Sequence, residues 1–585
     1  MMRRVFPFFS LLVIVSITSQ PAMSVEPLKA IPSDVAAVVR FQSLDKFLAG
    51  INDMMTAIGP PATLATKAIS DGLSTDFFEL EGDASKLNRK VPAYAAIFAE
   101  DNQGPPVVWF VQAASEKALQ QALLKNANKV KAKAGPHGFK TIPINTRRSW
   151  YYRKIGKNYA YTQQKKLAEK VAKVLDKKAK SIASISDAQA EKLFVTGHVG
   201  VFVNAQGMTA KFKNEINQGK EVIVAAIKAI PDEQLGVVDA KKARELYLTL
   251  INASFQAVFD AKWVVLQGST GGDGALGHAT IGFKKGSATK KFAAQLPTSQ
   301  LDNLGLLPPG SPVYYGFELG LKGLASKLTN LSYGSNSDTK AAKAATKLME
   351  AGQFVSQCIS FALPNDKDTG FQVTSIEQAK DAKKYASGFA ALMKTVGTVK
   401  NAVFSQSIIF KEKAEKHKKH SIDRLDMKMK ITDPNLAMVQ GLFDKMFGGD
   451  TLQTRVVRFE NLVISASGNN KKFIRDALDN IESGEKVAGL DDAFAKAREK
   501  LGENANVLFL INVPQLMLDG IGFVKDVQPF SLIFGQLPLD TTVKAPRSFT
   551  GFALKKVKNG ASATLFVPVE QPKFILRIFG PLLGA

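Results

Sequence analysis

A set of strand and helix patterns occurs twice, in the same order, along this chain of 585 residues. Each copy begins with a proline-marked turn (31–34 and 307–310), an apolar strand (36–41 and 313–317) and a helical pattern (44–51 and 321–331). Four further landmarks, the last of them a hairpin, follow at offsets of roughly 260 to 310 residues, as expected for repeated units. We infer an internal duplication with its boundary near residues 300–307.

The strands within each copy have the pattern of a half-buried antiparallel sheet. Between residues 425 and 431 the apolar side chains face one way and the charged side chains face the other. Helical patterns fall between hairpin-like strand pairs, which favours an α+β fold over a purely parallel sheet. We therefore predict two tandem, related halves, 25–303 and 304–585, each with a mainly antiparallel sheet and helices packed on one face of it.

Residues 1–24 have the three-part pattern of a cleavable signal peptide. Arg3 and Arg4 provide a positive start, residues 5–18 are mostly apolar, and Ala22 and Ser24 precede the expected cut before Val25. The apolar stretch is shorter than the roughly 20 residues that a membrane-spanning helix needs. An uncleaved N-terminal anchor is the alternative interpretation. The mature chain contains no other stretch with the pattern of a transmembrane segment.

Cys358 is the only cysteine, so the chain forms no intramolecular disulfide. Secreted eukaryotic domains usually depend on disulfides, and their absence favours the periplasm or envelope of a bacterium. The apolar run 358–362 predicts a buried strand, in which Cys358 is a core thiol rather than a nucleophile.

The formal net charge of the chain is +25 at pH 7. A strongly basic protein attracts acidic partners. For an exported protein the candidates are an anionic envelope polymer, lipid head groups or another protein, and export argues against nucleic acid. An ordinary lysine-rich surface that keeps the protein soluble explains the same charge.

One segment combines cations with aromatic rings on a predicted strand, and a lysine-rich helix follows it. The candidate polyanion-binding residues are Arg147, Arg148, Trp150, Tyr152, Arg153, Lys165, Lys166, Lys170, Lys173 and Lys177. Stacking rings beside cations suit a polyanion or a sugar polymer. In the alternative interpretation, Trp150 and Tyr152 point into the core and the lysines are ordinary solvated helix surface.

Residues 272–277 match the glycine pattern of dinucleotide-binding loops. That loop needs a helix after it, because the helix N-terminus holds the phosphates. A strand pattern follows instead, so we predict a hairpin turn and no cofactor.

His417 and His420 form the only close histidine pair, and lysines surround them. Because neighbouring cations repel a metal ion, we predict a solvated hairpin tip between strands at 408–410 and 425–431. Ser43 and Lys46 have Ser-x-x-Lys spacing, but the Lys-Thr-Gly motif of penicillin-recognising enzymes does not accompany it. We assign no catalytic or metal-binding residue.

Ser43, Ser115 and Asn204 stand where a strand gives way to a helix. Their side-chain oxygens can accept hydrogen bonds from the first free N–H groups of that helix. We predict that Asn204 is a helix cap rather than a ligand contact.

The turn–strand–helix openings, and the strand segments that end at Asn204 and Asn512, resemble a group of large exported bacterial proteins with no established function. The resemblance implies a periplasmic or envelope α+β protein and transfers no catalytic residue. We expect an exported, non-enzymatic protein that binds an anionic polymer, lipid or protein partner through a basic surface. The alternative is a hydrolase of an envelope or extracellular polymer whose catalytic residues the sequence does not identify.

Overall fold

The fold is given by a computed structural model. It describes residues 26–73, 77–99, 106–184, 186–231, 240–299, 301–318, 348, 354–363, 370–400, 404–434, 437–525, 527 and 543–579. The predicted signal peptide and the helix expected at 321–331 lie outside the described residues.

Contacts between residues divide the chain into two compact units. The first contains Met1–Gly219, Ser254–Lys291 and Val557–Val569, and the second contains Lys220–Ala253, Phe292–Lys556 and Glu570–Ala585. Each unit is thus built from segments that are far apart in sequence.

The first unit contains a large antiparallel sheet. Its strands are β1 (Ala37–Phe41), β2 (Ala93–Ile97), β3 (Val107–Val111), β4 (Lys133–Ala134), β5 (Lys140–Pro143), β6 (Ser149–Ile155), β7 (Asn158–Thr162), β8 (Val199–Val203), β9 (Ala261–Gly271), β10 (Gly274–Phe283) and, from the end of the chain, β21 (Gly560–Pro568). Its helices are α1 (Glu26–Ala30), α2 (Leu44–Ile58), α3 (Pro60–Asp71), α4 (Glu116–Leu123), α5 (Lys165–Leu175), α6 (Ala188–Phe194) and α7 (Ala205–Lys211). Three of the five boundaries between the units fall inside α8 (Lys213–Ala229), α9 (Ala240–Asp260) and α10 (Ala288–Gln295).

The second unit is also an antiparallel sheet with helices. Its strands are β11 (Val313–Phe317), β12 (Phe354–Ala362), β13 (Gln372–Ala379), β14 (Thr398–Lys400), β15 (Phe404–His417), β16 (His420–Ile431), β17 (Thr451–Phe459), β18 (Leu462–Ser467), β19 (Val507–Ile511) and β20 (Thr550–Val557). Its helices are α11 (Ala382–Val396), α12 (Ala437–Phe447), α13 (Lys472–Ser483), α14 (Asp492–Leu501), α15 (Val513–Val524) and α16 (Glu570–Phe579). The predicted α+β class with mainly antiparallel sheets is confirmed.

The strands follow comparable orders in the two units. The order is β4–β5–β6–β7–β3–β2–β1–β8–β9–β10–β21 in the first unit. It is β14–β15–β16–β17–β18–β13–β12–β11–β19–β20 in the second. The N–H of Asn204 donates to Ala36 O at 2.9 Å, and the N–H of Asn512 donates to Pro312 O at 2.7 Å. Duplication of one segment, with a boundary between residues 303 and 304, stays a prediction.

Helices cover both faces of the sheet in the first unit, which corrects the expectation of one covered face. Side chains of a strand alternate between faces. Val38 of β1 therefore belongs to a core with Leu167 of α5, whereas Phe41 belongs to a core with Phe47 of α2. All five residues of β3 are buried, as required of a strand packed on both sides.

Several local predictions are confirmed. The glycine-rich segment 272–277 includes the turn between the paired strands β9 and β10. Cys358 is fully buried in β12. The oxygens of Ser43, Ser115 and Asn204 cap α2, α4 and α7. Among the described residues, no helix combines the length and apolarity needed to cross a membrane.

Candidate anion-binding surface

Helix α5 carries four exposed lysines, Lys165, Lys166, Lys173 and, just beyond its last turn, Lys177. We call these four residues the lysine face. The opposite side of α5 is buried in the core of the first unit through Leu167, Ala168, Val171, Ala172 and Val174. This spacing is that of an amphipathic helix. Burial of the apolar side therefore fixes the lysines toward solvent.

The four lysines of the lysine face make no ion pair with a described residue. Lys170, on the same helix, is different, because its Nζ lies 2.7 Å from Asp34 Oδ2 and 5.2 Å from the centre of the Phe98 ring. Lys170 therefore connects α5 to Asp34, and its charge is partly neutralised by that carboxylate. The lysine face retains four positive charges for an external anion.

The predicted arginines lie near α5, but Arg148 and Arg153 form hydrogen bonds to other residues of the first unit. Arg148 Nη2 donates to Gln163 Oε1 at 2.7 Å, two residues before Lys165. Arg153 Nη1 donates to the carbonyl of His137 at 2.8 Å. Arg147 is exposed in the turn between β5 and β6. The structure thus brings Arg147 and Arg148 to the end of β7 from which α5 begins.

Trp150 and Tyr152 do not belong to this surface, which corrects their assignment as stacking residues. Trp150 is fully buried, with ring centroids 6.3 Å from Trp109 and 5.4 Å from Tyr161. The Tyr152 hydroxyl donates to Glu116 Oε1 at 2.7 Å, and burial raises its pKa. On a strand with both faces covered, every second residue enters the same core, so these two rings fill the face that opposes α5.

A cavity of about 360 Å³ lies at the C-terminal end of α5. Its polar lining includes Lys29, Lys177 and Asn158, and its wall includes Phe110 and Leu175. Asn158 is 7% exposed, and its Oδ1 has no hydrogen-bond partner among the described residues. Two cations beside an open acceptor suit a group that carries a negative charge and a hydrogen-bond donor.

Sequence reasoning missed Lys29 and Asn158. The one available signal for Asn158 was an amide side chain at the first position of the strand predicted at 158–162. Lys29 is distant in sequence and gave no signal. Only the packing of α1 beside α5 brings it to Lys177.

The histidine hairpin is not simply a solvated tip. Its predicted position between two strands is confirmed, since β15 ends at His417 and β16 begins at His420. The tip binds α13, where His417 Nε2 lies 2.9 Å from Asp479 Oδ1 and Lys418 Nζ lies 2.6 Å from the same oxygen. Among the described residues, no group of three or more His, Cys, Asp or Glu side chains could hold a metal ion.

Comparison with known proteins gives two weak structural neighbours. No protein-family model and no curated protein matches the chain. Crystal form III of TP0453 is 10% identical with a TM-score of 0.22, covering 46% of this chain and 85% of that chain. Crystal form I of TP0453 is 11% identical with a TM-score of 0.21, covering 45% and 81%. Likeness at this level supports no inference about fold or function.

Proposed function

We propose that this is an exported, non-enzymatic protein of the bacterial periplasm or envelope that binds an anionic polymer through the lysine face. The observation that carries the proposal is that the four exposed lysines of the lysine face make no ion pair with a described residue, while the apolar side of α5 packs in the core and holds them toward solvent. Exposed ammonium groups attract anions and donate hydrogen bonds to them without any catalytic group.

The spacing of the lysine face suits a polymer better than one small anion. Lys165 and Lys173 are eight residues apart, which places them ~12 Å apart along the helix axis at 1.5 Å per residue. Charges at that separation reach different units of a chain molecule. Each contact is weak alone, and several contacts together release counterions and give salt-dependent binding.

The test uses the mature full-length chain, with immobilised heparin and inorganic polyphosphate as probes. The first variant replaces Lys165, Lys166, Lys173 and Lys177 by Gln. The control variant replaces four other exposed lysines of the first unit by Gln, namely Lys125, Lys129, Lys131 and Lys133. The control removes the same charge beside α4, on the other face of the sheet.

We expect the lysine-face variant to bind either probe more than about tenfold more weakly, since a lysine near an anionic surface contributes ~1 kcal/mol. Wild-type binding should weaken as salt rises, because screening lengths shorten. Equal loss in the two variants would show a general effect of net charge. That result, or wild-type binding that salt leaves unchanged, would overturn the proposal.

Export is tested separately from binding. Expression of the full chain in a bacterial host with N-terminal sequencing of the product should show a mature protein beginning at Val25. A product that retains residues 1–24 would support the uncleaved anchor instead. Neither outcome affects the heparin and polyphosphate measurement.

A further inference from the structure

The second unit contains a polar cavity of about 260 Å³ against strands β12 and β13. We call it the β12–β13 cavity. The turn at 308–312 and helices α13 and α15 complete its wall. Its hydrogen-bonding side chains include Ser360, Thr374, Gln372, Gln515 and Asp519. All of these residues belong to the second unit.

Ser360 and Thr374 are direct neighbours across the antiparallel pair β12–β13. Each residue is 3% exposed, and neither hydroxyl makes a hydrogen bond to a described residue. Both residues line the cavity, so their hydroxyl groups are available to donate and accept hydrogen bonds there. Two such hydroxyls on one cavity wall therefore indicate a site for a hydrogen-bonding guest.

The first unit provides an internal comparison at the same register. Val38 of β1 pairs with Ala96, which pairs with Val108. Tyr314 of β11 pairs with Ser360, which pairs with Thr374. Ala96 and Val108 are fully buried in an apolar core. This sheet position accepts Ala and Val, so the hydroxyls of the second unit are not needed to form the strand pair.

Asp519 supplies a carboxyl group to the same cavity from helix α15. It is 8% exposed, and Gln515 Nε2 donates to its Oδ1 at 2.6 Å. Burial raises the pKa of Asp519. Asn512 caps this helix by accepting from the N–H of Gln515 at 3.1 Å, which fixes the turn that carries Gln515.

The lining excludes most classes of guest. None of the described residues that line the cavity is a lysine or arginine, so nothing neutralises an anion. Asp519 is the only carboxyl among them, so a cation would find a single charged ligand there. Hydroxyl, amide and carboxyl groups match a guest with many hydroxyls. The half-buried ring of Phe473 offers an apolar surface beside them.

We propose that the β12–β13 cavity binds an uncharged polyhydroxyl ligand, a single sugar residue. Ser360 and Thr374 bind adjacent hydroxyl groups from the sheet side. Gln515 and Asp519 bind hydroxyl groups from the helix side, and Phe473 packs on the C–H face of the ring, as is usual in sites that combine apolar walls with few polar groups. This site lies in the second unit and is independent of the lysine face.

The test measures binding of glucose, galactose, mannose and N-acetylglucosamine to the mature full-length chain by saturation-transfer NMR and calorimetry. Glucuronate and glucosamine are the charged counterparts. The key variant is S360A/T374V, which recreates the Ala–Val pair of the first unit and should fold. D519A removes the carboxyl group. D492A removes an exposed carboxylate from α14 and is the control.

We expect at least one neutral sugar to bind, and S360A/T374V and D519A to weaken that binding tenfold or more while D492A leaves it unchanged. Circular dichroism spectra of all variants should match the wild type. Binding of none of the four neutral sugars would overturn the proposal. So would unchanged binding in S360A/T374V, or tighter binding of glucuronate or glucosamine than of the neutral sugars.

Discussion

Nε2 of His420 lies 2.9 Å from Oε1 of Glu482, a residue 62 positions later in the chain. An ionised carboxylate only accepts hydrogen bonds, so His420 donates. Lys418 and Lys419 approach the same carboxylate at 3.2 and 3.3 Å. The hydrogen bonds from His420 and Lys418 lower the pKa of Glu482 to about 2. The hairpin tip is therefore attached to α13 by an ionic cluster.

Replacing Glu482 by Gln should lower the stability of the second unit at neutral pH. The folded-state pKa of about 2 lies below the ordinary value of 4.5, so the folded protein binds the proton more weakly. The stabilising contribution is therefore complete above about pH 4.5 and is lost as pH falls toward 2. Urea unfolding at pH 7 should show a lower midpoint for E482Q, with a smaller difference from wild type at pH 3.

The control is E485Q, which neutralises an exposed glutamate just beyond the same helix. Its side chain makes no ion pair with a described residue, so its midpoint should match the wild type. A midpoint of E482Q equal to wild type at pH 7 would contradict the ionic attachment of the tip.

Trp150 should determine stability and leave anion binding unchanged. Replacing it by Ala removes a fully buried ring that packs edge-on against Trp109 and Tyr161, and such changes lower the free energy of unfolding by about 3–5 kcal/mol. W150F should cost less, because much of the volume remains. Chemical unfolding followed by circular dichroism measures the cost, and heparin binding is measured on the folded fraction. Weaker heparin binding by W150F at unchanged stability would contradict the buried position of Trp150 and support a contact between its ring and the anion.

Asn204 should contribute more than an ordinary helix cap. Its Oδ1 accepts from the N–H of Gly207 at 3.0 Å, and its Nδ2 donates to Ser33 O and Val35 O at 3.0 and 3.1 Å. N204A loses the cap and the two hydrogen bonds to these carbonyls, which should lower the free energy of unfolding by about 2–4 kcal/mol.

S115A is the matched variant for Asn204. Ser115 Oγ accepts only from the N–H of Ala118, in an exposed turn. S115A should therefore lower the free energy of unfolding by about 0.5–2 kcal/mol. All three tryptophans lie in the first unit, so tryptophan fluorescence during urea unfolding reports on both variants. Equal costs for N204A and S115A would show that the Nδ2 bonds contribute nothing.

Local features of this fold could be predicted from the sequence, because they depend on neighbouring residues. The helix cap at Asn204, the glycine turn before β10 and the buried strand around Cys358 involve residues close in sequence. The α+β class follows from the same strand and helix patterns.

Features that depend on packing of distant segments could not be predicted. Alternation places Trp150 on one face of β6 but does not say that helices cover both faces. No pattern near His420 identifies Glu482 as its partner. Ser360 and Thr374 become a site only because β12 pairs with β13 in one register.

Cys358 should resist thiol reagents in the folded protein. Burial raises the pKa of its thiol to about 12, so the reactive thiolate is scarce at pH 8 and the group is also inaccessible. An aromatic disulfide reagent should release one equivalent of thiolate in urea and almost none in buffer. Rapid labelling of the native protein would contradict the buried position. Because Cys358 lies in the second unit, its labelling also reports the unfolding of that unit.

Replacing Arg455 should strongly lower the stability of the second unit. It is 1% exposed, and its Nε donates to Glu415 Oε1 at 3.0 Å. Its other nitrogens donate to Gly468 O at 3.0 Å and Gln453 Oε1 at 2.7 Å. Removing one partner of a buried ion pair costs about 3–5 kcal/mol, since the remaining charge stays buried.

The variants R455M and R455M/E415L separate the pair from the packing. R455M should lose about 3–5 kcal/mol of unfolding free energy, and E415L in the same chain should recover part of it, because no unpaired carboxylate then remains. R455K should also destabilise, since an ammonium group cannot match the planar array of donors that reaches all three acceptors. Labelling of Cys358 in urea measures each variant. If R455M and the double variant unfold at the same urea concentration, the charge of Glu415 is neutralised by Arg424, whose Nη1 lies 3.9 Å from Glu415 Oε1. The loss of stability in R455M then comes from the lost Arg455 hydrogen bonds to Gly468 and Gln453.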